Sequence, residues 1–242
     1  MKKMGKKIKG KCKYCGKEYT LSYMKKHLSE CKEREARLDA ENGKRQCGYF
    51  ELVIHPKYSK DYWLIVEVRE TAELMDVDSF LRDIWLECCG HLSAFEIYGT
   101  RYESVPMDDL IWGEPSKGMN YKLDTVLDEG MTIGYEYDFG STTELVIHVA
   151  DYRVGDLKKE KITIMSRNNP YEIMCSECGE HPAVAVCVEC AWGGDGFLCE
   201  ECSKTHECGE EMLLNVCNSP RMGVCGYCGS EIYPDQFTPD KC

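Results

Sequence analysis

Long hydrophobic runs are missing from this chain. No stretch approaches the roughly 18 apolar residues that a membrane helix needs, and mean hydropathy is −0.44. The opening MKKMGKKIKGKCKYC carries charge but no apolar segment, so a secretory signal is not expected. Low-complexity tracts and collagen-like repeats are also absent. Basic residues become scarce after the first fifth of the 242 residues. Residues 1–45 hold 15 Lys/Arg against 6 Asp/Glu, a net of +9, and the rest of the chain has a net of −21. This asymmetry implies a basic arm on an acidic body, with the arm either binding a polyanion or folding back on that body.

Cysteine is abundant, at 17 residues, and ten of these form five Cys-x-x-Cys pairs. Without a secretory signal such pairs read as zinc ligands rather than disulfides, which points to a soluble cytoplasmic zinc protein with no membrane contact. Cysteine and charge together divide the chain into a basic arm with a finger (1–33), a charged connector (34–46), a larger domain (47–167) and a cysteine-rich module (168–242). The turn signal Asn168-Asn169-Pro170 marks the last boundary.

The first ligand set is Cys12-x-x-Cys15, eleven residues, then His27-x-x-x-Cys31. A tight knuckle aims Cys12 and Cys15 at one metal, and residues four apart on a helix share a face, so His27 and Cys31 converge on it. Tyr19, Met24 and Leu28 supply an apolar base. The segment resembles the C2HC-type zinc finger class, which specifies no ligand. Lys2, Lys3, Lys6, Lys7, Lys9, Lys11 and Lys13, with Lys25 and Lys26 on the helix, can neutralise phosphates. A single finger reads only about 3 base pairs, and no Arg or Asn/Gln set is placed to read bases. Nucleic-acid contact through 1–45 would therefore be largely non-specific, and a solvated basic face is the competing reading.

In the larger domain, strand patterns fall at 50–55, 62–68, 92–98, 131–138, 144–152 and 161–165. Phe80, Leu81, Ile84, Trp85 and Cys88 form one helical face, with Asp76 or Asp78 as N-cap and Gly90 as stop. The expected fold class is α+β: an antiparallel sheet with one or two packed helices, flanked by small zinc-stabilised modules. The run GHLSAFEI (90–97), preceded by the helix and followed by YEYDFGSTTELVIHV (135–149), resembles the plasmid pRiA4b ORF-3-like domain. That resemblance implies an α+β fold and a link to mobile elements, with no established activity. Where its members commonly carry Asp, Trp and His after Tyr-Asp-Phe-Gly, this chain has Ser141, Thr143 and Leu145.

No nucleophile–base pair stands out. Asp138-Phe139-Gly140 mimics the kinase magnesium motif, but the Gly-rich loop, the catalytic-loop motif and the strand lysine are missing. His91 and His148 read as structural histidines, Cys88 as core and Asp138 as a turn residue. The expectation is therefore no enzyme, with an uncharacterised enzyme linked to mobile elements as an alternative.

The C-terminal train is Cys175, Cys178, Cys187, Cys190, Cys199, Cys202, His206 and Cys208, eight ligands for two tetrahedral zincs. Thirty-four residues hold too little apolar material for a core, so metal must supply folding free energy. Sequential pairing would crowd four ligands into ten residues. The words FLCEECSKTH (197–206) resemble B-box-type zinc modules, and this resemblance implies interleaving: Cys175, Cys178, Cys199 and Cys202 on one zinc, Cys187, Cys190, His206 and Cys208 on the other. Cys217, Cys225, Cys228 and Cys242 can complete a fourth site after the three expected zincs. The module is the expected contact for a protein partner, and an adaptor that binds no nucleic acid is the alternative function.

Overall fold

The computed structural model describes residues 8–43, 45–106 and 116–240, with the side chain of Trp192 excepted. Contacts divide the chain into two compact units, one within Met1–Phe80, Leu92–Asn169 and Phe237–Cys242, the other within Leu81–His91 and Pro170–Gln236. This differs from the partition by charge and cysteine. The finger belongs with the large sheet, and an eleven-residue piece of the middle segment belongs with the cysteine-rich module.

The first unit is α+β. Its strands are β1 (Lys9–Cys12), β2 (Glu18–Thr20), β3 (Gln46–Pro56), β4 (Leu64–Arg69), β5 (Ser93–Ile97), β6 (Thr100–Glu103), β7 (Lys117–Gly118), β8 (Thr132–Tyr137), β9 (Thr143–Asp156) and β10 (Ile162–Asn168). They form one sheet in the order β2-β1-β10-β4-β3-β9-β8-β5-β6-β7. Every pairing is antiparallel except β6 with β7. The central strands β3 and β4 are almost continuously buried, the facing Glu51 and Glu67 included. The outer half of β8–β9 alternates, as strands covered on one face should.

The finger extends this sheet. Gly10 pairs with Asn168, and Cys12 with Ser166. The approach leaves no room for a side chain at residue 10, where a Cβ would sit 2.1 Å from the Arg167 carbonyl oxygen and 2.6 Å from the Trp63 ring. A bulge in β10 between Ile164 and Ser166 leaves Met165 out of register. Met165 is fully buried with Met24, Leu28, Cys12, Cys31, Val53, Trp63 and Ile65 in one apolar cluster. The apolar base expected beneath the finger metal is thus also sheet core.

Helix α1 (Leu21–Glu30) presents Met24 and Leu28, four residues apart, to that cluster. Helix α2 (Lys32–Asp39) occupies what the sequence suggested was connector. It forms because Arg34 has a buried destination: the guanidinium donates to the Leu28 carbonyl at 3.0 Å and lies 3.3 Å from Glu51 and 3.7 Å from Glu67. Glu51 and Glu67 face each other on β3 and β4. Arg153 forks onto Glu67 with two 2.7 Å bonds, and Lys158 adds a third. Burial raises the Glu67 carboxyl, but these cations outweigh it and hold the group down at about 2. Burial pushes Glu51 up, with Arg34 opposing.

Helix α3 (Leu74–Leu81) is followed by a π-helical turn, Arg82–Leu86. Asp76 acts at its start, accepting from the Glu73 amide at 2.9 Å. Neither Asp76, the third residue of the helix, nor Asp78 is its N-cap. Asp78 is buried and accepts from Ser93 Oγ and from Tyr135 Oη at 2.8 Å, a role that local sequence does not show. Among the described residues no helix is long and apolar enough to cross a membrane.

The second unit carries a small sheet, β12-β11-β13, from β11 (Ala185–Cys187), β12 (Phe197–Leu198) and β13 (Leu213–Asn215), with one short helix α4 (Glu200–Ser203). Strands of two or three residues cannot sustain a sheet unaided.

Candidate metal centres

Among the described residues, four clusters of Cys and His can hold metal ions, and within each the four ligand atoms lie within 4.8 Å of one another. They are Cys12, Cys15, His27 and Cys31; Cys175, Cys178, Cys199 and Cys202; Cys187, Cys190, His206 and Cys208; and Cys88, Cys89, His91 and Cys225. The fit to zinc can be tested by edge length. A tetrahedral ion with Zn–S about 2.3 Å and Zn–N about 2.0 Å sets S···S edges near 3.8 Å and S···N edges near 3.5 Å. The Cys178–Cys199 and Cys190–Cys208 sulfurs are 3.9 and 3.7 Å apart. The His206–Cys190 edge is 3.5 Å and the His27–Cys15 edge 3.2 Å. These spacings fit one ion per cluster better than a web of weak thiol hydrogen bonds.

In the finger, β1 ends at Cys12 and the turn returns Gly16 N–H to the Cys12 carbonyl at 2.9 Å, which brings Cys15 round. His27 lies in the last turn of α1 and Cys31 just past its end. The His27 ring packs against Tyr19 with centroids 4.5 Å apart and a tilt of 33°, which limits its rotation. Burial pushes the Cys12 thiol up to about 12. A thiol so placed becomes a thiolate at neutral pH only beside a cation such as bound zinc.

In the second unit the two clusters of the train are interleaved, as the B-box resemblance implied. Cys187 ends β11, and Cys199 precedes α4, which carries Cys202. His206 turns Nε2 toward Cys190, and its Nδ1 lies 2.9 Å from the Glu177 carboxylate. A carboxylate on the distal nitrogen orients a ligating imidazole.

The fourth cluster differs from the expected one. Cys225 does not gather with Cys217 and Cys228; it joins Cys88, Cys89 and His91. Cys242 lies outside the described residues, as do Lys2, Lys3, Lys6 and Lys7. Cys88 is therefore more than core and His91 more than a lone structural histidine. His148 and Asp138 belong to none of the four clusters. His148 Nδ1 sits 3.0 Å from the Met131 carbonyl, and Asp138, at φ 63°, accepts from Gly140 N–H at its turn.

The described part of the basic arm is only partly free. Lys13 and Arg37 both pair with Asp240, and Arg34 is buried. Lys9, Lys17, Lys26 and Lys32 remain exposed.

No family model matches the chain, and no curated protein matches it closely. Among solved structures, a protein of unknown function, MM3350 from Methanosarcina mazei Go1, is similar over 50% of this chain and 68% of its own. Identity is 19% and the TM-score 0.41, a likeness too slight to carry a functional argument.

Proposed function

We propose that this chain is a non-enzymatic zinc protein that contacts nucleic acid through its finger and a protein partner through its C-terminal module. The observation that carries the reading is that each cluster supplies four protein ligands. Four protein ligands close a tetrahedral zinc, whereas a catalytic zinc keeps one position for water or substrate. The first unit also holds a cleft of about 170 Å³. It is lined by Lys57, Glu96, Arg101, Glu136 and Glu144, and Lys57 is paired with Glu144 and Arg101 with Glu136.

The nucleic-acid part rests on exposed Lys9, Lys17, Lys26 and Lys32 and on Tyr23, which is 67% exposed on α1. Lysines contact phosphates, and an exposed ring offers a stacking face for an unpaired base. The adaptor reading is favoured instead by the ion pairs that Asp240 makes with Lys13 and Arg37, since they withdraw two cations from any phosphate. We also read the first unit's sheet as related to the pRiA4b ORF-3-like domain. The adjacency of β5, which carries SAFEI, to β8 and β9 of the Tyr-Asp-Phe-Gly hairpin supports this.

Titration of the zinc-loaded full chain against duplex and single-stranded DNA and RNA at low and moderate salt tests the proposal. Binding that weakens steeply with salt, and weakens further in a K9A/K17A/K26A variant, is the expected result. No binding at low salt leaves the adaptor reading.

A further inference from the structure

We propose that Cys88, Cys89, His91 and Cys225 form a fourth zinc site, and that it is the exchangeable one of the four. The inference stands apart from what the finger binds.

The donor set is three thiols and one imidazole. Cys88 and Cys89 sulfurs are 3.6 Å apart, as are Cys89 and Cys225. His91 Nε2 lies 3.0 Å from Cys89 and 3.5 Å from Cys225. These are the edges of a small tetrahedron, and the sulfurs are far from the roughly 2.05 Å of a disulfide. Three soft sulfurs and one imidazole select zinc over magnesium or calcium, which take oxygen ligands.

The surrounding backbone is shaped around the cluster. The π-helical turn Arg82–Leu86 carries the chain into Glu87, whose N–H bonds the Arg82 carbonyl at 2.9 Å. Such turns recur at functional sites. Arg82 then holds the loop by donating to the His91 carbonyl at 2.7 Å and to Glu87 at 2.8 Å. Glu87 accepts from Gly90 N–H at 2.6 Å, and Gly90, at φ 76°, makes the reversal that brings His91 back beside Cys89. On the other side Cys225 is held at φ 55°, a left-handed conformation costly for a residue with a side chain. Ser219 Oγ donates to the Trp85 carbonyl at 2.6 Å, and the Arg221 guanidinium stands 3.6 Å from Cys88 Sγ. Two stretches more than 120 residues apart in sequence are thus held so that four ligand atoms meet.

Exposure sets this cluster apart. Each of the other three has at least one buried cysteine, whereas here Cys89 and Cys225 are exposed and Cys88 and His91 half-buried. A groove of about 300 Å³ beside it, lined by Arg82, Glu87, Cys88, Tyr227 and Ile232, gives a chelator or acceptor protein a way in. Zinc here should leave before zinc held by buried sulfur.

The test is zinc content of the purified, zinc-loaded full chain together with cysteine alkylation mapped by mass spectrometry during slow chelation. Four zincs are expected in the wild type, three in Cys89→Ser and in His91→Gln, and four in Cys228→Ser. As the first equivalent leaves, Cys88, Cys89 and Cys225 should become alkylated while Cys187 and Cys199 stay protected, a readout that needs no variant to fold. Loss of a zinc from Cys228→Ser but not from Cys89→Ser would overturn the assignment. So would alkylation of Cys89 at one rate in loaded and stripped protein. Release of the first zinc from another cluster would overturn its exchangeable character.

Discussion

The finger and the C-terminal module share the same Cys-x-x-Cys knuckle, yet they rest on different physics. In the finger, Cys12 and Cys31 are buried among Met24, Leu28, Trp63, Ile65 and Met165, which are helix and sheet core. Among the described side chains of residues 170–236, the buried apolar ones are Cys175, Ala183, Val186, Cys187, Leu198, Cys199, Cys217 and Tyr227, and three of these belong to clusters that can hold a metal. Remove the metal and the finger keeps apolar contacts to a ten-stranded sheet, while residues 170–236 lose ligands that are also part of their small core and keep only the apolar support of their unit's other piece, Leu81, Ile84, Trp85 and Leu86. A ligand spacing therefore announces a metal without saying whether the metal determines the fold.

The largest effect should follow Cys187→Ser, which breaks one cluster at the end of β11. Structural zinc contributes on the order of 10 kcal/mol to such small modules. The small sheet should lose its amide protection while β3 and β4 keep theirs, as read by hydrogen exchange. Equal loss in both units would erase the contrast.

Next comes Glu67→Gln. Removing one partner from a buried charge network costs about 3–5 kcal/mol, since Arg34, Arg153 and Lys158 lose their shared anion. The carboxyl is held at about 2 in the folded state, below its unfolded value, so its stabilisation is complete above roughly pH 4.3 and is lost as pH falls toward about 2. Urea midpoints between pH 5 and pH 3 should fall less in the variant than in the wild type. An equal fall would show that Glu67 is not the group responsible.

Met24→Ala should cost about 2–5 kcal/mol through the cavity it leaves. Because Met24 packs with Trp63 and Met165, the loss should appear in the sheet as well as in the finger. Confinement of the loss to the finger would mean that the shared cluster contributes little. Smallest of all, Lys26→Ala removes an exposed pair with Glu30. Such i,i+4 pairs contribute about 0.3–0.5 kcal/mol, so thermal unfolding should barely move.

Much of this was legible in sequence because the signals were local. Cys12 to Cys31 and Cys175 to Cys208 lie within one spacing pattern each, and the strands of β3, β4, β8 and β9 show in their β-branched runs. What was hidden depends on distant partners. Nothing near Gly10 reports that it pairs with Asn168, and nothing near Arg34 reports Glu51 and Glu67. The run Cys88-Cys89-Gly90-His91 was itself a metal signal, three donors within four residues, but its fourth ligand, Cys225, lies in another segment. Cys225 in turn sits in a knuckle with Cys228 that suggested a closer set. Local pattern assigned it to the nearest cysteines, and tertiary structure takes it elsewhere.

The most direct test of the difference between the two regions is hydrogen exchange by mass spectrometry on the full chain, zinc-loaded and then stripped with excess chelator. Amides of β11, β12 and β13 should exchange at once after stripping, those of β1 and α1 should exchange faster, and those of β3, β4 and β9 should remain protected. Retained protection in β11–β13 without zinc, or collapse of β3 and β4 with it removed, would contradict the account.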